Sequence, residues 1–307
     1  MRYGILCAAL LATANCGAAD TPVNPPLIDA HFHVMPYMDM AVLQQAMDRH
    51  GIRAAGGAGA AGDPQLNEQA ARVLGTRFIR STGQSQWIGL KMRAGVGALE
   101  DAESSGFKQA LAAMEVDLRD NGARVIGEIH VNSQNSAANP RVNIRIRADA
   151  PTLQAMLALA GKYKRALNVH AEFAGDTARE LVNLAQSNRE ARLVLSHCGV
   201  VASAADIRAA FEQNPNISCD LSYRSPPQLK PRIMNRMIFD VARLDADWKK
   251  LIEDYPDRFV VGIDDVFSWD EYEQTANNIR SGLLANLKPE TAEKLAYRNA
   301  QALFGLE

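Results

Sequence analysis

The feature that most constrains the fold of this chain is a series of eight short apolar segments along its 307 residues. Each segment has the length and composition of a buried strand. Amphipathic segments with helical periodicity lie between most of them, so predicted strands and helices alternate. The strand-like segments are 27–34, 52–59, 76–82, 124–131, 166–173, 192–199, 216–222 and 258–265.

This alternation predicts a parallel sheet covered by helices. Eight strands in a chain of this length predict a (β/α)8 TIM barrel, a single α/β domain over residues 20–307. A doubly wound open sheet is the alternative, and it is disfavoured because no glycine-rich phosphate loop follows the first strand. A glycine cluster at 56–62 follows the second strand instead. It lacks the Lys-Ser/Thr pair of a phosphate loop, so we predict a flexible connection there.

The first nineteen residues differ from the rest of the chain. One arginine precedes a short apolar run that ends in small residues, which is the pattern of a secretory signal peptide. The run is too short to span a bilayer. We therefore predict a signal peptide at 1–19 and export to the periplasm or the exterior. Lipoprotein anchoring through Cys16 is the less favoured alternative, because Asn15 fits a lipobox poorly.

Cleavage of that segment would leave two of the four cysteines, Cys198 and Cys219. Two cysteines do not make a disulfide scaffold. They fall in successive predicted strands, so a single bridge is conceivable in an oxidising compartment. Two buried thiols are the favoured interpretation.

The charge of the chain narrows the classes of partner. A formal net charge of −2 argues against a nucleic-acid-binding protein, which would normally be basic. We expect a small-molecule substrate, no nucleic acid and no membrane span. The segment 226–255 is long for one barrel helix and is predicted to add a lid or a subunit contact, which leaves homo-oligomerisation open.

Polar side chains that can bind a metal stand at the ends of several predicted strands. In a barrel, the carboxyl ends of the strands converge on one mouth. Imidazole and carboxylate groups are ligands for zinc, manganese and iron. A lone histidine at a strand end is more often part of the core, but four histidines and two carboxylates together indicate a metal site. These residues are His31, His33, Glu128, His170, His197 and Asp264.

Four short sequence motifs together resemble the amidohydrolase superfamily. They are "DAHFH" at 29–33, "NVHAEF" at 168–173, "LSHCG" at 195–199 and "VGIDDVF" at 261–267. The closing "YRNAQALFGL" at 297–306 resembles the asparagine-bearing terminal helix of the amidohydrolase-related branch. The resemblance covers residues 27–306. It implies a (β/α)8 barrel and a divalent metal that activates water.

The resemblance also implies roles for individual residues. His31, His33, His170 and Asp264 would be metal ligands, and His197 would be a second-metal ligand or a polarising group. Some binuclear members carry a carboxylated lysine on the fourth strand. Glu128 stands there in this chain, as in the members with a bridging glutamate, the TatD-like and phosphotriesterase-lactonase-like types. Whether Glu128 bridges two ions or lies beside a single ion stays open. Zinc is the expected metal, with manganese and iron as alternatives.

The chemistry implied is hydrolysis of an ester, lactone, amide or phosphoester bond. Asp264 would take the proton of the metal-activated water and return it to the leaving group, with His197 close to the polarised centre. A mononuclear decarboxylase or lyase of the same branch is one alternative. A non-catalytic, exported binding protein is another.

Two further residues complete the expected site, and Asp264 has to be distinguished from its neighbour. Asp264 is preferred over Asp265, because only one of two adjacent strand residues faces inward and "GID" matches the Gly-x-Asp of the family. His130 shares a face with Glu128 and is a candidate substrate contact at the rim. Arg224 follows the seventh strand and is the candidate anchor for a substrate carboxylate or phosphate, against a surface salt bridge as the alternative.

Overall fold

The structure is a computed structural model that describes residues 25–59, 63–229 and 236–306. The predicted signal peptide at 1–19 lies outside the described residues, and so does the end of the glycine cluster. Export therefore stays a prediction from the sequence. Within the described ranges, no helix has the length and apolar character needed to cross a membrane.

All eight predicted strand segments contain a strand. The third segment is interrupted at Arg80 and forms two short strands, so the described residues hold nine strands in place of eight. The strands are β1 Leu27–His33, β2 Ile52–Gly59, β3 Phe78–Ile79, β4 Ser81–Gly83, β5 Val125–Asn132, β6 Ala166–Ala171, β7 Arg192–Leu195, β8 Ile217–Asp220 and β9 Phe259–Val260.

Helices follow most of the strands and begin at ordinary capping residues. The Asp39 carboxylate accepts hydrogen bonds from the first backbone N–H groups of α1, and Ser203 and Asp206 form a capping box at the start of α7. The α-helices are α1 Met40–Arg49, α2 Pro64–Leu74, α3 Gln84–Ala94, α4 Ser105–Arg119, α5 Pro151–Lys162, α6 Gly175–Ser187, α7 Ala204–Gln213, α8 Ala246–Asp254, α9 Trp269–Asn278, α10 Pro289–Glu293 and α11 Asn299–Phe304. Short π-helical stretches occupy Ile279–Leu283 and Lys294–Arg298.

The strands are parallel and lie side by side in chain order. One sheet contains β1 to β3 and the other contains β4 to β9, with the break at the interrupted third strand. Two backbone hydrogen bonds join the residues after β9 to β1: Ala30 N–H donates to Val261 O at 2.9 Å, and Asp264 N–H donates to His31 O at 2.6 Å. The first and last strands therefore adjoin, as the predicted TIM barrel requires.

The apolar core has two parts. The larger part lies between the strands and the surrounding helices. The smaller part, which we call the floor, joins residues from seven strands to the C-terminal helix α11. The floor consists of Ile28, Ala30, Ala54, Ile79, Val125, Ala166, Val194, Val260, Ala300, Leu303 and Phe304. On the strands that carry polar strand-end groups, the floor residues precede those groups, so the polar groups lie at the opposite end of the barrel, which we call the mouth.

Two other sequence expectations concern the region around β7 and β8. Cys198 and Cys219 are free and buried, in agreement with the interpretation of two thiols. The described part of 226–255 contains an isolated bridge between Phe239 and Leu244 and then only the short helix α8. Its predicted role as a lid or a subunit contact stays a prediction.

Candidate metal centre

The mouth of the barrel brings all six predicted ligands into one buried cluster. His31 and His33 come from β1, Glu128 from β5 and His170 from β6, while His197 and Asp264 lie just beyond β7 and β9. None of the six residues is more than 8% exposed. His130 joins them, so five of the six histidines of the chain meet here. The remaining one, His50, is the C-cap of α1.

Glu128 lies at the centre of the cluster. Its Oε1 atom is 3.0 Å from His170 Nδ1 and 3.3 Å from His197 Nε2, and its Oε2 atom is 3.3 Å from His33 Nε2. Two groups of possible ligands share this carboxylate, one with His31 and His33 and the other with His170 and His197. Two ligand atoms on one tetrahedral zinc lie about 3.4 Å apart. The observed spacing is therefore that of neighbouring ligands around an ion.

Asp264 faces the same space from the opposite side of the barrel. Its Oδ1 lies 3.6 Å from His31 Nε2 and 3.5 Å from His33 Nε2, and its Oδ2 lies 3.6 Å from His197 Nε2. Its backbone has φ of +73°, a left-handed conformation uncommon outside glycine. Gly262 is needed beside it, because a Cβ atom at that position would lie 2.6 Å from His31 Cβ. The Gly-x-Asp pattern thus combines close packing against His31 with a turned carboxylate.

His197 reaches the cluster through an unusual turn. The segment Ser196–Gly199 follows β7, and His197 has φ of +54° within it. Backbone conformations of this kind concentrate at functional sites, where the surrounding structure holds them in place. Arg224 holds this turn in place, because its guanidinium donates to His197 O at 2.7 Å and to Ala202 O at 3.2 Å.

Arg224 has a different environment from the one that the sequence suggested. Its side chain is fully buried, and it donates a third hydrogen bond to Arg236 O at 2.6 Å. The guanidinium also lies 5.1 Å from the ring centroid of Trp248. All of these contacts point away from solvent, so the structure does not favour the expected role of Arg224 as a substrate anchor. The buried position also argues against the alternative interpretation, a surface salt bridge. Arg224 is a buried support for the turn that carries His197.

One buried nitrogen atom of the cluster lacks a hydrogen-bond partner. His31 Nε2 is buried and has no hydrogen-bond partner, although two carboxylates lie within 4 Å of it. His31 Nδ1 lies 3.0 Å from Asp220 Oδ2, so the ring can donate its one proton there and leave Nε2 as a bare lone pair. A buried imidazole nitrogen with a free lone pair suits a metal ion. The donor set and this atom together fit a divalent metal.

The charges of the cluster point in the same direction. Burial alone would raise the pKa of Glu128, but the neighbouring histidines His130, His170 and His31 hold it well below its usual value. Burial and the charge of Asp264 raise the pKa of Asp265 to about 6. Burial would lower the pKa of His31, yet the surrounding carboxylates raise it well above its usual value. The raised pKa values of His31 and Asp265 reflect the concentration of buried carboxylates, which attracts a cation.

His130 lies at one edge of the cluster. Its ring stacks on His170 with centroids 4.4 Å apart, and its Nε2 lies 3.6 Å from Glu128 Oε2. Burial lowers the pKa of His130 well below its usual value. The side chain is 6% exposed. The structure thus places His130 beside the predicted ligands, and its contact with a substrate stays a prediction.

Three polar residues of this region were not anticipated from the sequence. Asp220 contacts His31, and Ser136 Oγ lies 2.9 Å from His170 Nε2 and donates to Glu172 Oε1 at 3.0 Å. Asp220 ends β8, so the rule that found the other strand-end groups could also have found it. Ser136 follows β5 in an irregular segment where no sequence pattern marks it, whereas Glu172 lies within the "NVHAEF" motif but was given no role there.

Comparisons with known proteins bear on the fold. No protein-family model matches the chain, and no curated protein matches its sequence. An uncharacterised TIM-barrel protein from Bordetella bronchiseptica superposes with a TM-score of 0.58 at 12% identity, covering 92% of this chain and 99% of that chain. An amidohydrolase from Burkholderia multivorans with bound zinc gives 0.54 at 16% identity, covering 92% and 100%. A dihydroxybenzoic acid decarboxylase from a Polaromonas species, with manganese and 2-nitroresorcinol bound, gives 0.51 at 14% identity, covering 92% and 97%.

These likenesses extend over nearly the whole of each compared chain. They confirm the TIM barrel, and one of the similar structures is an amidohydrolase. Two of the three are enzymes whose structures contain a metal ion, zinc in one and manganese in the other.

Proposed function

We propose that this protein is a metal-dependent hydrolase of the amidohydrolase type, which cleaves an ester, lactone, amide or phosphoester bond of a small molecule. The observation that carries the proposal is the shared position of Glu128 between two pairs of histidines. A carboxylate placed between two donor sets suits two ions, and a pair of ions serves hydrolysis by holding both the attacking and the leaving oxygen. The similar zinc-containing amidohydrolase supports zinc as the metal.

The residues of this chain would hold the metal in two sets. His31, His33 and Glu128 form one set, while Glu128, His170 and His197 form the other. A metal bound there supplies Lewis acidity and lowers the pKa of a water molecule toward ~7. Every one of these side chains is buried, so the metal would be enclosed largely by the barrel wall.

Asp264 is the proposed general base and acid. Its two oxygens lie on the same side of the cluster as three Nε2 atoms, within 3.6 Å of each. One oxygen accepts a hydrogen bond from Asp265 N–H at 2.7 Å, which fixes the orientation of the carboxylate. A water in the ligand space therefore meets a fixed proton acceptor, and the same carboxyl can return the proton to the leaving group. His197 Nε2 lies opposite and can hydrogen-bond or polarise the electrophilic oxygen.

A decarboxylase or lyase with a single metal is the second candidate. The similarity to a manganese-containing dihydroxybenzoic acid decarboxylase is the observation in its favour. In that case Glu128 would lie beside one ion and His197 would act on the substrate. The number of ions per chain separates the two candidates.

The deciding experiment is metal analysis of the purified protein after reconstitution with zinc or manganese. We expect about two ions per chain in the wild type and about one in Glu128→Ala, with hydrolysis of lactones or phosphoesters in a substrate panel. His50→Ala is the matched control, since His50 lies outside the cluster and its loss should leave the metal content unchanged.

Other results would change the assignment. One ion in both the wild type and Glu128→Ala would favour the decarboxylase or lyase. A fully loaded protein that is inactive on both substrate classes would favour a binding protein. An absence of metal after reconstitution would overturn the proposal.

A further inference from the structure

Asp220 is a buried carboxylate that belongs to neither set of predicted ligands. It ends β8 and is 1% exposed. Its Oδ2 lies 3.0 Å from His31 Nδ1. Its Oδ1 accepts hydrogen bonds from His197 N–H at 3.3 Å and from Ser222 N–H at 3.0 Å. The carboxylate therefore links the two histidines that come from β1 and from the turn after β7.

Ser222 extends this link to the second imidazole. Its hydroxyl donates to Asp220 Oδ1 and lies 2.8 Å from His197 Nδ1. Because the hydroxyl proton is directed to the carboxylate, the oxygen is left to accept a proton from His197 Nδ1. Both imidazoles are thus held at Nδ1 by the same pair of residues, and both present Nε2 to Glu128 and Asp264.

We propose that Asp220 and Ser222 form a positioning pair that keeps His31 and His197 in the Nδ1–H form, so that both Nε2 lone pairs face the metal centre. This inference rests on the proposed metal-dependent function. It adds residues that the sequence resemblance does not supply, and it gives Asp220 an indirect role. A partner of this kind fixes both the ring orientation and the tautomer of a ligand histidine.

Direct ligation by Asp220 is the competing interpretation, because His31, His197 and Asp220 also lie within ligand spacing of one another. The hydrogen bonds argue against it. Oδ2 faces the nitrogen of His31, while Oδ1 already receives two backbone N–H groups and a hydroxyl. A metal at Asp220 would have to displace these donors and also take Nδ1 of His31, which would leave Nε2 without its partner.

The test replaces the carboxylate with its neutral isostere, Asp220→Asn. If the amide nitrogen faces His31, it donates to Nδ1 and favours the Nε2–H form, which cannot bind a metal at Nε2. If the amide turns round, its nitrogen faces the backbone N–H groups of His197 and Ser222. Either orientation disturbs the pair. We expect zinc affinity, measured by competition with a chromophoric chelator, to fall about 10–100-fold while the number of ions at saturation stays the same.

A second variant and a control separate positioning from general damage. Ser222→Ala removes the hydroxyl contact with His197 Nδ1 and one donor to Asp220, but it leaves the Ser222 carbonyl 3.2 Å from His197 Nδ1, so it should weaken zinc binding by a smaller factor. Asp149→Asn removes another buried carboxylate, one whose side-chain partners are Arg147 and Asn183, and should leave zinc affinity unchanged. Circular dichroism verifies that each variant is folded.

Nitrogen-15 NMR of the histidines in the metal-free protein, recorded at a pH above the raised pKa of His31 so that its ring is neutral, provides a readout that does not depend on activity. We expect the Nδ1–H form of His31 in the wild type and a shift toward the Nε2–H form in Asp220→Asn. Unchanged zinc affinity together with an unchanged His31 tautomer would overturn the inference. So would loss of one complete ion, which would make Asp220 a ligand. If the wild type binds no metal, the proposed function fails, and the NMR comparison alone decides the role of Asp220.

Discussion

The two ends of the same barrel strands have opposite chemistry. At the floor, Ala166 of β6 and Val194 of β7 pack against the apolar side chains of α11. Two residues after Ala166 lies Asn168, and two residues further lies His170 in the ligand cluster. A single strand thus changes over five residues from an apolar side chain to a polar one and then to a predicted metal ligand. The floor closes the barrel by burying apolar surface, whereas the mouth gathers charge that needs a cation.

The strands β1 and β5 show how a single strand can carry both floor residues and predicted metal ligands. On β1, Ile28 and Ala30 belong to the floor, but Phe32 packs in the outer core. The inward face therefore changes between Ala30 and Phe32, where the pairing of β1 with β2 shifts in register. A comparable shift lies between Ile126 and Ile129 of β5, the strand that carries Glu128. Irregularities of this kind re-aim side chains next to functional sites.

The largest expected effect is at the mouth. Asp264→Asn removes the proposed proton acceptor but keeps the size of the side chain. We expect turnover to fall by about 10²–10⁴-fold, because proton transfer by a positioned group contributes that much. Turnover of the substrate found in the panel, together with metal content and the urea midpoint, would be measured for wild type and variant.

The contrast between the floor and the mouth predicts that the free energy of unfolding changes little in Asp264→Asn. Asp265→Asn is the matched control, since it alters the neighbouring carboxylate without changing the group that faces the three histidines. Wild-type turnover in Asp264→Asn would remove Asp264 from the mechanism. An equally large loss in Asp265→Asn would move the role to the neighbouring residue.

The next largest effect is at the floor. Phe304→Ala removes an aromatic side chain that is 2% exposed and packs among the strand residues of the floor. We expect the free energy of unfolding to fall by about 3–5 kcal/mol, because the variant leaves a cavity. Urea unfolding followed by circular dichroism gives this value, and zinc affinity of the folded variant should match that of the wild type.

Phe267→Ala provides the matched control for this change. Phe267 is 64% exposed, so its truncation should alter the free energy of unfolding by less than about 0.5 kcal/mol. If Phe304→Ala also weakened zinc binding tenfold, the floor and the mouth would not be separable parts of the barrel.

Much of the fold follows from local sequence patterns. Each of the eight predicted strand segments contains a strand, because short apolar runs between amphipathic helices have few other arrangements. The interruption at Arg80 and the register shifts of β1 and β5 were not predicted. They arise from the packing of neighbouring strands, and periodicity along a single strand carries no information about that packing.

The residues of the candidate site also divide into those that local sequence patterns predict and those that they do not. The predicted ligands meet because strand ends converge in a barrel, so their type and their position in the chain were sufficient to find them. Arg224 was assigned to the substrate because it follows a strand, but its long side chain can turn either way, and burial beside Trp248 decides its direction. Asp220 was overlooked, although it also ends a strand. Its contact with His31 joins residues 189 positions apart, and no local pattern reveals such a pair.

Arg224 lies at the mouth end of the barrel but supports the backbone there. It therefore tests the limit of the contrast between a stabilising floor and a functional mouth. Arg224→Met removes the donors to three backbone carbonyls and keeps most of the side-chain volume. We expect the free energy of unfolding to fall by about 2–4 kcal/mol, since buried acceptors lose their partners. Zinc affinity should also fall, because the turn that carries His197 loses its support. Urea unfolding and chelator competition measure the two effects.

Arg224→Lys retains the charge but cannot reach all three carbonyls, so it should fall between Arg224→Met and the wild type. An Arg224→Met protein with normal stability and zinc affinity, but with a raised KM for an anionic substrate, would restore the substrate-anchor role.

The smallest expected effect lies between the two ends. Ser196 Oγ, at the start of the turn after β7, donates to Asn168 Oδ1 of β6 at 2.5 Å. Ser196→Ala should lower the free energy of unfolding by about 1 kcal/mol, the typical contribution of one hydrogen bond, and should leave zinc affinity unchanged. Urea unfolding and chelator competition again supply both numbers. Since Ser196 precedes His197 directly, a loss of zinc affinity as large as that of Asp220→Asn would show that the ligand-positioning part of the mouth extends down to this hydrogen bond. Unchanged affinity would instead place its lower boundary between Ser196 and His197.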